Sequence, residues 1–388
     1  MEQCKHTEWC GGCLYQGMPY DEQLQLKQNE MKALLFANGI EPKTVAPIVG
    51  SPDCYRYRNK MEYTFGDLVK DGPMTLGMHR KGNFMSVVTV ESCQLVHEDF
   101  NIVLAAVLRF CEPYPKYHKK QHTGLLRNLI LRRGVRTGEL LINIVTSGEP
   151  GFDEQGFVEM LLALPVSSNI VGILRTINDG VSDAVNCDEL KILYGRDYYL
   201  EKILGLDFKV SAFSFFQSNV EAVEALYNEA LNLIPDLDGK VVFDLFCGTG
   251  TIAQAMANTA KEAIGIELVE EAVAAAKENA ARNGLTNCTF LAGDVFDVLE
   301  NISIKPDVIV MDPPRMGVRE KALNRIIDYG VFEIVYISCN PKTLVQNLVQ
   351  LQSRGYEVEY LRTFDNFPFT KHIESIVQLK RNQFNEEL

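Results

Sequence analysis

Three residues that can do chemistry lie at the ends of short apolar runs near the end of the chain. Cys339 follows residues 334–338, Asp312 ends residues 307–312, and Glu374 lies in a late run. A thiol between polar neighbours at a strand end can lie beside a cleft and act as a nucleophile. Glu374 is then the best candidate base, and His372 is its competitor. The other interpretation of Cys339 is a small buried apolar side chain, the usual fate of a free cysteine.

A thiol and a base together suit methylation of a carbon that is a poor nucleophile, such as C5 of uracil. Addition of the thiolate to C6 converts the ring into an enolate, and C5 can then take a methyl group from a sulfonium. The C5 proton must leave to a base, and elimination of the thiol restores the ring. A duplex buries C5 and C6, so the target must be unpaired or flipped out.

A methyl donor would need its own pocket, and a glycine loop predicts one. Residues 243–251 join a buried strand to a helix through Gly248 and Gly250, so the backbone can approach a ligand closely. The loop lacks the third glycine of a dinucleotide site and the lysine of a phosphate-binding loop. Glu267 ends the next strand, where it could bond a ribose, and Asp294 could meet an adenine edge. This pattern predicts an S-adenosylmethionine pocket; a nicotinamide or flavin site, or a loop without ligand, is the alternative.

Ten cysteines occur in the chain, and three of them crowd into the first thirteen residues. Cys4, Cys10 and Cys13 have the spacing C-x5-C-x2-C, and Cys93 is the preferred fourth ligand over Cys54. Coincidence, a four-cysteine zinc site and an iron–sulfur cluster are the three interpretations. Spacing alone does not separate zinc from the cluster.

The elements that must position these residues fall into three parts. A helix is predicted over residues 20–38, and β-like runs with two helices predict an α+β domain between about 50 and 210. After residue 218, strands alternate with helices, which predicts a parallel, doubly wound α/β sheet with two further strands at its end. The late strand of Glu374 is expected to run beside the fifth strand, which ends just before Cys339. Three domains are predicted. Residues 1–48 hold the N-terminal cysteines and the first helix, residues 49–210 form an RNA-binding domain, and residues 211–388 form the catalytic domain.

Together these residues resemble the uracil-5 RNA methyltransferases, which make 5-methyluridine in ribosomal and transfer RNA. The matching motifs are Phe215-Phe216-Gln217, Asp244-Leu245-Phe246-Cys247-Gly248-Thr249-Gly250-Thr251, Glu267, Asp312-Pro313-Pro314-Arg315, Ser338-Cys339-Asn340-Pro341 and His372-Ile373-Glu374. The resemblance implies a C-terminal class I (Rossmann-like) S-adenosylmethionine methyltransferase domain, in which Cys339 is the nucleophile and Glu374 the proton acceptor. It also implies that the cofactor and the base are surrounded by Gln217, Phe246, Thr251, Glu267, Asp294 and Asp312.

The N-terminal cysteines indicate which branch of the family the chain resembles. Ribosomal RNA members of the family carry a 4Fe–4S cluster on a C-x5-C-x2-C group and one distant cysteine, and the transfer RNA branch lacks it. The resemblance therefore implies a 23S ribosomal RNA enzyme whose cluster is held by Cys4, Cys10, Cys13 and Cys93, with zinc as the less favoured metal. In the family the cluster is thought to be structural or to support RNA binding.

Three other functions stay open. They are transfer RNA uracil-5 methylation, RNA cytosine-5 methylation, and a non-catalytic iron–sulfur protein that binds RNA. RNA cytosine-5 enzymes usually place a second cysteine where this chain has Asp312, which speaks against that class. The intact set of Cys339, Glu374 and Asp312 speaks against a protein without catalysis.

The charge distribution favours RNA as the partner, although the formal net charge of −13 alone argues against it. Residues 54–140 hold 14 Lys plus Arg against 8 Asp plus Glu, which gives +6 there and −19 elsewhere. No apolar run predicts a membrane span or a secretion signal, so a cytoplasmic enzyme is expected, and no protein partner is implied. The basic residues predicted to face RNA, with interleaved tyrosines, are Arg56, Arg58, Lys60, Arg80, Lys81, Lys116, Lys119, Lys120, Arg127, Arg132, Arg133 and Arg136, with Tyr55, Tyr57, Tyr63, Tyr114 and Tyr117.

Overall fold

A computed structural model describes residues 3–118, 121–182 and 185–382 of the chain. Among these residues, every helix is too short or too polar to cross a membrane. The elements run in chain order as α1 (Tyr20–Ala37), β1 (Thr44–Val45), β2 (Lys60–Asp67), β3 (Met74–Arg80), β4 (Asn83–Thr89), α2 (Glu98–Cys111), β5 (Leu126–Arg133), β6 (Glu139–Thr146), α3 (Glu154–Leu162), β7 (Asn169–Ile177), β8 (Glu189–Gly195), β9 (Tyr198–Ile203), β10 (Leu206–Ser211), α4 (Val220–Asn232), β11 (Val241–Leu245), α5 (Thr251–Ala257), β12 (Glu262–Glu267), α6 (Glu270–Arg282), β13 (Cys288–Ala292), α7 (Val295–Asn301), β14 (Val308–Met311), α8 (Glu320–Tyr329), β15 (Glu333–Ser338), α9 (Pro341–Ser353), β16 (Tyr356–Phe364) and β17 (Glu374–Arg381).

The C-terminal sheet has eight strands in the order β1-β16-β17-β15-β14-β11-β12-β13. Strands β11 to β15 pair in parallel, and β17 lies antiparallel between β15 and β16. The predicted parallel α/β fold of the Rossmann type is confirmed, and so is the late strand beside the fifth. Such a sheet gathers the carboxyl ends of its strands along one edge, where ligands bind.

The C-terminal sheet is buried on both faces because its strands are apolar at consecutive positions. Val242 of β11 packs in one core with Val310 of β14, whereas the neighbouring Phe243 packs in the opposite core with Ile309. Successive side chains of a strand point to opposite faces, so a sheet covered by helices on both sides needs such continuous apolar runs.

The first helix belongs to this sheet rather than standing apart. Met31 and Leu35 of α1 are buried in the core that holds Phe243, and β1 pairs in parallel with β16. The buried Lys27 Nζ lies 2.6 Å from Asp365 Oδ1 and donates to the Phe367 carbonyl at 3.2 Å. The chain between β16 and β17 is therefore held by the N-terminal helix.

The central sheet has seven strands in the order β4-β3-β2-β5-β6-β7-β8, all antiparallel to their neighbours except β6 and β7. Phe100 of α2 and Phe157 of α3 are buried in its core. The β-like run of residues 55–65 predicts one strand, but β2 begins only at Lys60, because Arg56 has a left-handed φ of 56°. A separate hairpin of β9 and β10 precedes α4. The predicted limits at residues 48 and 210 stay a prediction.

Candidate active site

One cavity of about 1750 Å³ opens at the carboxyl ends of β11 to β15, and every predicted site residue lines it. The N-terminal cysteines reach the same cavity from the side of the central sheet. The predicted residues along its wall are Cys4, Cys10, Cys13, Cys93, Gln217, Phe246, Thr251, Glu267, Asp294, Asp312, Cys339 and Glu374.

The glycine loop after β11 makes a tight turn at the cavity. Phe246, Gly248 and Gly250 all have left-handed φ angles, of 66°, 54° and 78°. A Cβ on Gly250 would come within 2.5 Å of the Phe290 ring, so this position needs glycine for space as well as for φ. Phe246 accepts a conformation that costs non-glycine residues about 1–3 kcal/mol, a cost that is commonly found at ligand sites.

Asp244 caps the helix that follows the glycine loop, a role that was not predicted from the sequence. Its carboxylate is buried, and Oδ2 accepts a hydrogen bond from the Ala253 N–H at 2.8 Å. Gly250 cannot cap α5 with a side chain, so Asp244 does it from the preceding strand. Within the described residues Asp244 Oδ1 has no hydrogen-bond partner, and burial raises the pKa of this carboxyl well above its usual range.

The two acidic residues predicted for the cofactor are both fixed by backbone amides. Glu267 Oε2 accepts from the Gly248 N–H and Oε1 from the Val269 N–H, each at 3.0 Å. Asp294 caps α7 by accepting from the Phe296 N–H at 2.9 Å. Both carboxylates are therefore held in one orientation at the wall of the cavity.

Gln217 is positioned by a tyrosine that sequence reasoning missed. Its Nε2 donates to the Tyr227 hydroxyl at 2.9 Å, and Asn59 Nδ2 donates to the Gln217 carbonyl at 3.0 Å. Burial raises the pKa of Tyr227 well above its usual range, with the charge of Asp312 as the next contribution. The only signal in the sequence is the place of Tyr227 on the apolar face of α4.

Cys339 and Glu374 lie at the same end of two neighbouring strands. The ladder of β15 and β17 ends with the pair of Ser338 and Ser375; Cys339 follows Ser338, and Glu374 precedes Ser375. Both residues line the cavity, and after burial the charge of Glu374 is the next cause that raises the pKa of the Cys339 thiol. The two residues predicted from distant motifs as nucleophile and base therefore lie near each other.

The surroundings of this pair disfavour negative charge. Burial first, and then the charges of Glu374 and Asp312, raise the pKa of the Cys339 thiol to about 11 against the opposing effect of Arg315. Burial, followed by Asp312, raises the pKa of Glu374 well above its usual range, and burial raises the pKa of Asp312 to about 7. Without ligands the thiol is therefore protonated at neutral pH.

Arg315 and His372 complete this end of the cavity. The Arg315 carbonyl accepts a hydrogen bond from Asn340 Nδ2 at 2.9 Å, which ties the Asp-Pro-Pro-Arg loop to the residue after Cys339. Burial, then Arg315 and more distant cations, lower the pKa of His372 to about 4. A neutral imidazole and one guanidinium therefore stand beside the three acidic groups.

Cys10, Cys13 and Cys93, three of the predicted ligands, each have a raised pKa to which other cysteines of the group contribute after burial. Burial, then the charges of Cys93 and Cys10, raise the pKa of Cys13 to about 12, and burial raises the pKa of Cys93 with later contributions from Cys10 and Cys4. Burial also raises the pKa of Cys54, and the next contributions there come from Asp365 and Asp53 rather than from the N-terminal cysteines. Among the described residues, no three His, Cys, Asp or Glu side chains are arranged to hold a single metal ion.

The predicted basic face is smaller than the sequence suggests. Arg127 is buried and donates to the carbonyls of Asn178 and Gly180 at 2.8 and 2.7 Å, and Arg132 is also buried. Tyr57 and Tyr63 belong to the interior as well, so none of these four side chains can contact RNA. Arg58 and Lys60 do line the cavity. Lys119 and Lys120 lie outside the described residues.

Comparison with known proteins identifies the family of the chain. A family model described as tRNA (uracil-5-)-methyltransferase matches residues 186–382. Uncharacterised RNA methyltransferases of Clostridium tetani and Clostridium acetobutylicum are 46% and 47% identical over 381 residues, which is 98% of this chain and 84% of each relative.

A solved structure shares the fold over nearly the whole chain. It is the tRNA (uracil-54, C5)-methyltransferase of Pyrococcus abyssi in complex with S-adenosyl-L-homocysteine, which matches with a TM-score of 0.78 at 24% identity. The match covers 95% of this chain and 86% of that one. The chain belongs to the tRNA (uracil-5-)-methyltransferase family and is an RNA methyltransferase.

Proposed function

We propose that this enzyme methylates C5 of a specific uridine in 23S ribosomal RNA, with S-adenosylmethionine as the methyl donor. The observation that carries the proposal is the proximity of Cys339 and Glu374 at the end of the ladder of β15 and β17, where the charge of Glu374 adds to burial in raising the pKa of the thiol. The glycine loop lines the same cavity, so a methyl donor and a uracil ring could meet there. An RNA enzyme of this kind would act in the cytoplasm.

In the proposed reaction, the Cys339 thiolate adds to C6 of the uracil ring and C5 becomes nucleophilic. S-adenosylmethionine supplies the methyl group. Glu374, in its ionised form, takes the proton from C5, and the bond between Cys339 and C6 then breaks to restore the ring. Burial disfavours the charged forms of Cys339 and Glu374, and the charge of Arg315 favours them.

The residues around the glycine loop fit the donor. Glu267 would accept the ribose hydroxyls, and Asp294 would meet the adenine. Phe246 and Thr251 would border the nucleoside, while Gln217 and Asp312 would lie between the donor and the base. The amide hydrogen bonds to Glu267 and Asp294 support this arrangement, since each carboxylate is fixed before a ligand arrives.

Transfer RNA is the second candidate substrate. The family description and the Pyrococcus abyssi enzyme both name transfer RNA. The group of Cys4, Cys10, Cys13 and Cys93 supports 23S RNA instead, because it resembles the ribosomal RNA branch. Asp312, where RNA cytosine-5 enzymes usually place a second cysteine, supports uracil over cytosine as the base.

Methyl transfer from labelled S-adenosylmethionine tests the proposal. Unmodified 23S RNA and unmodified transfer RNA would each be incubated with the wild type, with Cys339→Ala and with Cys187→Ala, a control at an exposed cysteine. We expect 5-methyluridine in 23S RNA from the wild type and the control, and none from Cys339→Ala. Product in transfer RNA alone would reject the 23S assignment, and activity of Cys339→Ala would reject the mechanism.

The RNA proposal also specifies the state of the target. Because C5 and C6 are stacked in a duplex, a uridine in a loop should be methylated and the same uridine in a perfect helix should not. A pair of RNA oligonucleotides with the same local sequence, one looped and one fully paired, would measure this. Equal rates on both would contradict it.

For the four cysteines we propose a 4Fe–4S cluster, with zinc as the less favoured metal. A cluster spreads its ligands over several irons, so it does not need the single-ion arrangement that the described residues lack. Support comes from the Gly12 N–H, which lies 3.4 Å from Cys10 Sγ, and from a backbone hydrogen bond of Leu95 to Cys93. Such bonds to sulfur are common around clusters.

Iron and sulfide analysis of anaerobically purified protein tests the cluster. We expect a brown protein with about four irons per chain, and loss of the iron in Cys13→Ser but not in Cys54→Ser. Colourless protein that holds one zinc would replace the cluster with a zinc site.

A further inference from the structure

The tip of the β3–β4 hairpin and the N-terminal segment around Trp9, which crosses it, present an exposed surface outside the cavity. We propose that this surface binds unpaired nucleotides that flank the target uridine. The inference rests on the proposed function, since it presupposes an RNA substrate. We call it the hairpin-tip surface, and its members are Trp9, His79, Arg80, Lys81, Phe84 and Met85.

The hairpin tip is held in place by the cysteine segment. The pairing of β3 with β2 stops at Gly77, so the end of β3 reaches beyond the sheet. There the Gly11 N–H donates to the His79 carbonyl at 3.0 Å, and the Lys81 N–H donates to the Trp9 carbonyl at 2.7 Å. The surface is therefore a fixed platform rather than a free loop.

Apolar and aromatic groups are unusually exposed on this platform. The exposed fraction is 44% for Trp9, 58% for Phe84 and 60% for Met85. The Phe84 ring stacks on His79 with centroids 4.1 Å apart, and the Arg80 guanidinium lies 4.6 Å from the Trp9 ring centre. Rings and a guanidinium plane with open surface are the groups on which single-stranded bases stack.

The charge of the platform favours a nucleic acid over a protein. Residues 74–90 contain no Asp or Glu, but they contain His79, Arg80 and Lys81 at the tip. The flanking Lys5 and Glu8 cancel each other in formal charge. A cationic, aromatic tip on a chain of net charge −13 is the combination that attracts a phosphate backbone and then holds its bases.

The platform adjoins the cavity through a very short segment. Cys10, Gly11 and Gly12 line the cavity, and the backbone of Gly11 is bonded to the hairpin tip. An RNA strand that leaves the cavity over this segment would next reach the hairpin-tip surface. The surface would discriminate between RNAs by what flanks the uridine, not by the uridine itself.

Trp9 is the sole tryptophan of the chain, so its fluorescence reports on this surface directly. The wild type would be titrated with a long RNA that has single-stranded flanks and with a short RNA limited to the target loop. We expect quenching with the long RNA and little change with the short one. Binding of the long RNA, measured by filter retention, without quenching would overturn the proposal. A change in Trp9 fluorescence per chain as protein concentration rises, in the absence of RNA, would show self-association, and would overturn the proposal too.

Matched substitutions give the second test. Phe84→Ala and Lys81→Gln would be compared with Phe36→Ala and Lys32→Gln, which change exposed side chains on α1. We expect KM for the long RNA to rise about tenfold in the first pair alone. KM for S-adenosylmethionine, kcat, and KM for the short RNA should not change.

The outcomes separate this inference from the proposed function. If the wild type forms no 5-methyluridine in any RNA, the proposed function fails. If the wild type is active but Phe84→Ala behaves like Phe36→Ala on the long RNA, the proposed function stands and the hairpin-tip surface fails.

Discussion

Two sets of thiols line the same cavity, and their neighbours differ. Cys339 lies near Glu374, Asp312 and Arg315, whereas the pKa values of Cys10, Cys13 and Cys93 are raised by burial and then by neighbouring cysteines of their group. Burial raises the pKa of Cys339, Cys13 and Cys93 alike, so burial does not distinguish the two sets. The surroundings do: one thiol among acids and a cation suits covalent catalysis, and four thiols together suit ligation.

Substitution of one cysteine by serine in each set of thiols should give the largest difference between the two sets. Cys339→Ser removes the nucleophile and should lower the rate of methyl transfer by at least about 10⁴-fold. Cys10→Ser leaves the nucleophile in place and should chiefly lower the iron content and the RNA affinity. Labelled methyl incorporation and iron analysis on both variants measure the contrast. If folded Cys10→Ser lost as much methyl-transfer activity as Cys339→Ser, the two sets of thiols would not be separate in function.

Glu374→Gln should stop the reaction after methyl transfer. Without a base, the C5 proton stays and Cys339 remains joined to C6, so turnover should fall by about 10²–10⁴-fold. A protein–RNA adduct that survives denaturing electrophoresis should accumulate. The same gel run on His372→Gln is the control, where no adduct is expected. An adduct in His372→Gln instead would make the histidine the base.

The pH profile should show the raised pKa values of the acidic groups. Glu374 must be ionised to accept a proton, so kcat/KM should fall about tenfold per pH unit below the raised pKa of this carboxyl. Asp312→Asn removes a negative neighbour that raises the pKa of Glu374. The acidic limb should then move to lower pH, measured at saturating S-adenosylmethionine. An unmoved limb would mean that Asp312 does not act on Glu374.

The smallest expected effect concerns the glycine loop. Gly250→Ala places a methyl group against Phe290 at a left-handed φ and should lower the free energy of unfolding by about 2–3 kcal/mol, with weaker cofactor binding. Gly239→Ala has the same φ problem but open space around it, so it should cost about 1 kcal/mol. Urea unfolding and cofactor titration compare them. Equal losses would mean that the Phe290 contact relaxes.

The sequence was a good guide to the C-terminal sheet for a physical reason. Parallel strands covered on both faces are continuous apolar runs, and Glu267, Asp312 and Cys339 come at the ends of such runs. Glu374 could be placed beside Cys339 because its strand had to pair with the free edge of the fifth. The roles of Asp244 and Tyr227 could not be predicted from the sequence, since they depend on hydrogen bonds between different elements.

The central sheet was harder to predict. Arg127 and Arg132 look like surface cations, but one donates to carbonyls and the other is buried beside Tyr199. The β9–β10 hairpin turns at Leu204 and Gly205, which both have positive φ. Asn-Gly is the usual sequence for such a turn, so leucine at its first position hides the signal.

The bond between Lys27 and Asp365 joins residues 338 positions apart and implies a late step in folding. During synthesis the first helix leaves the ribosome long before β16 and β17 exist, so Met31 and Leu35 must wait for their core. Closure of so long a loop is slow. A fragment limited to residues 211–388 would lack β1 and α1 and expose that core, so the catalytic domain should not survive excision intact.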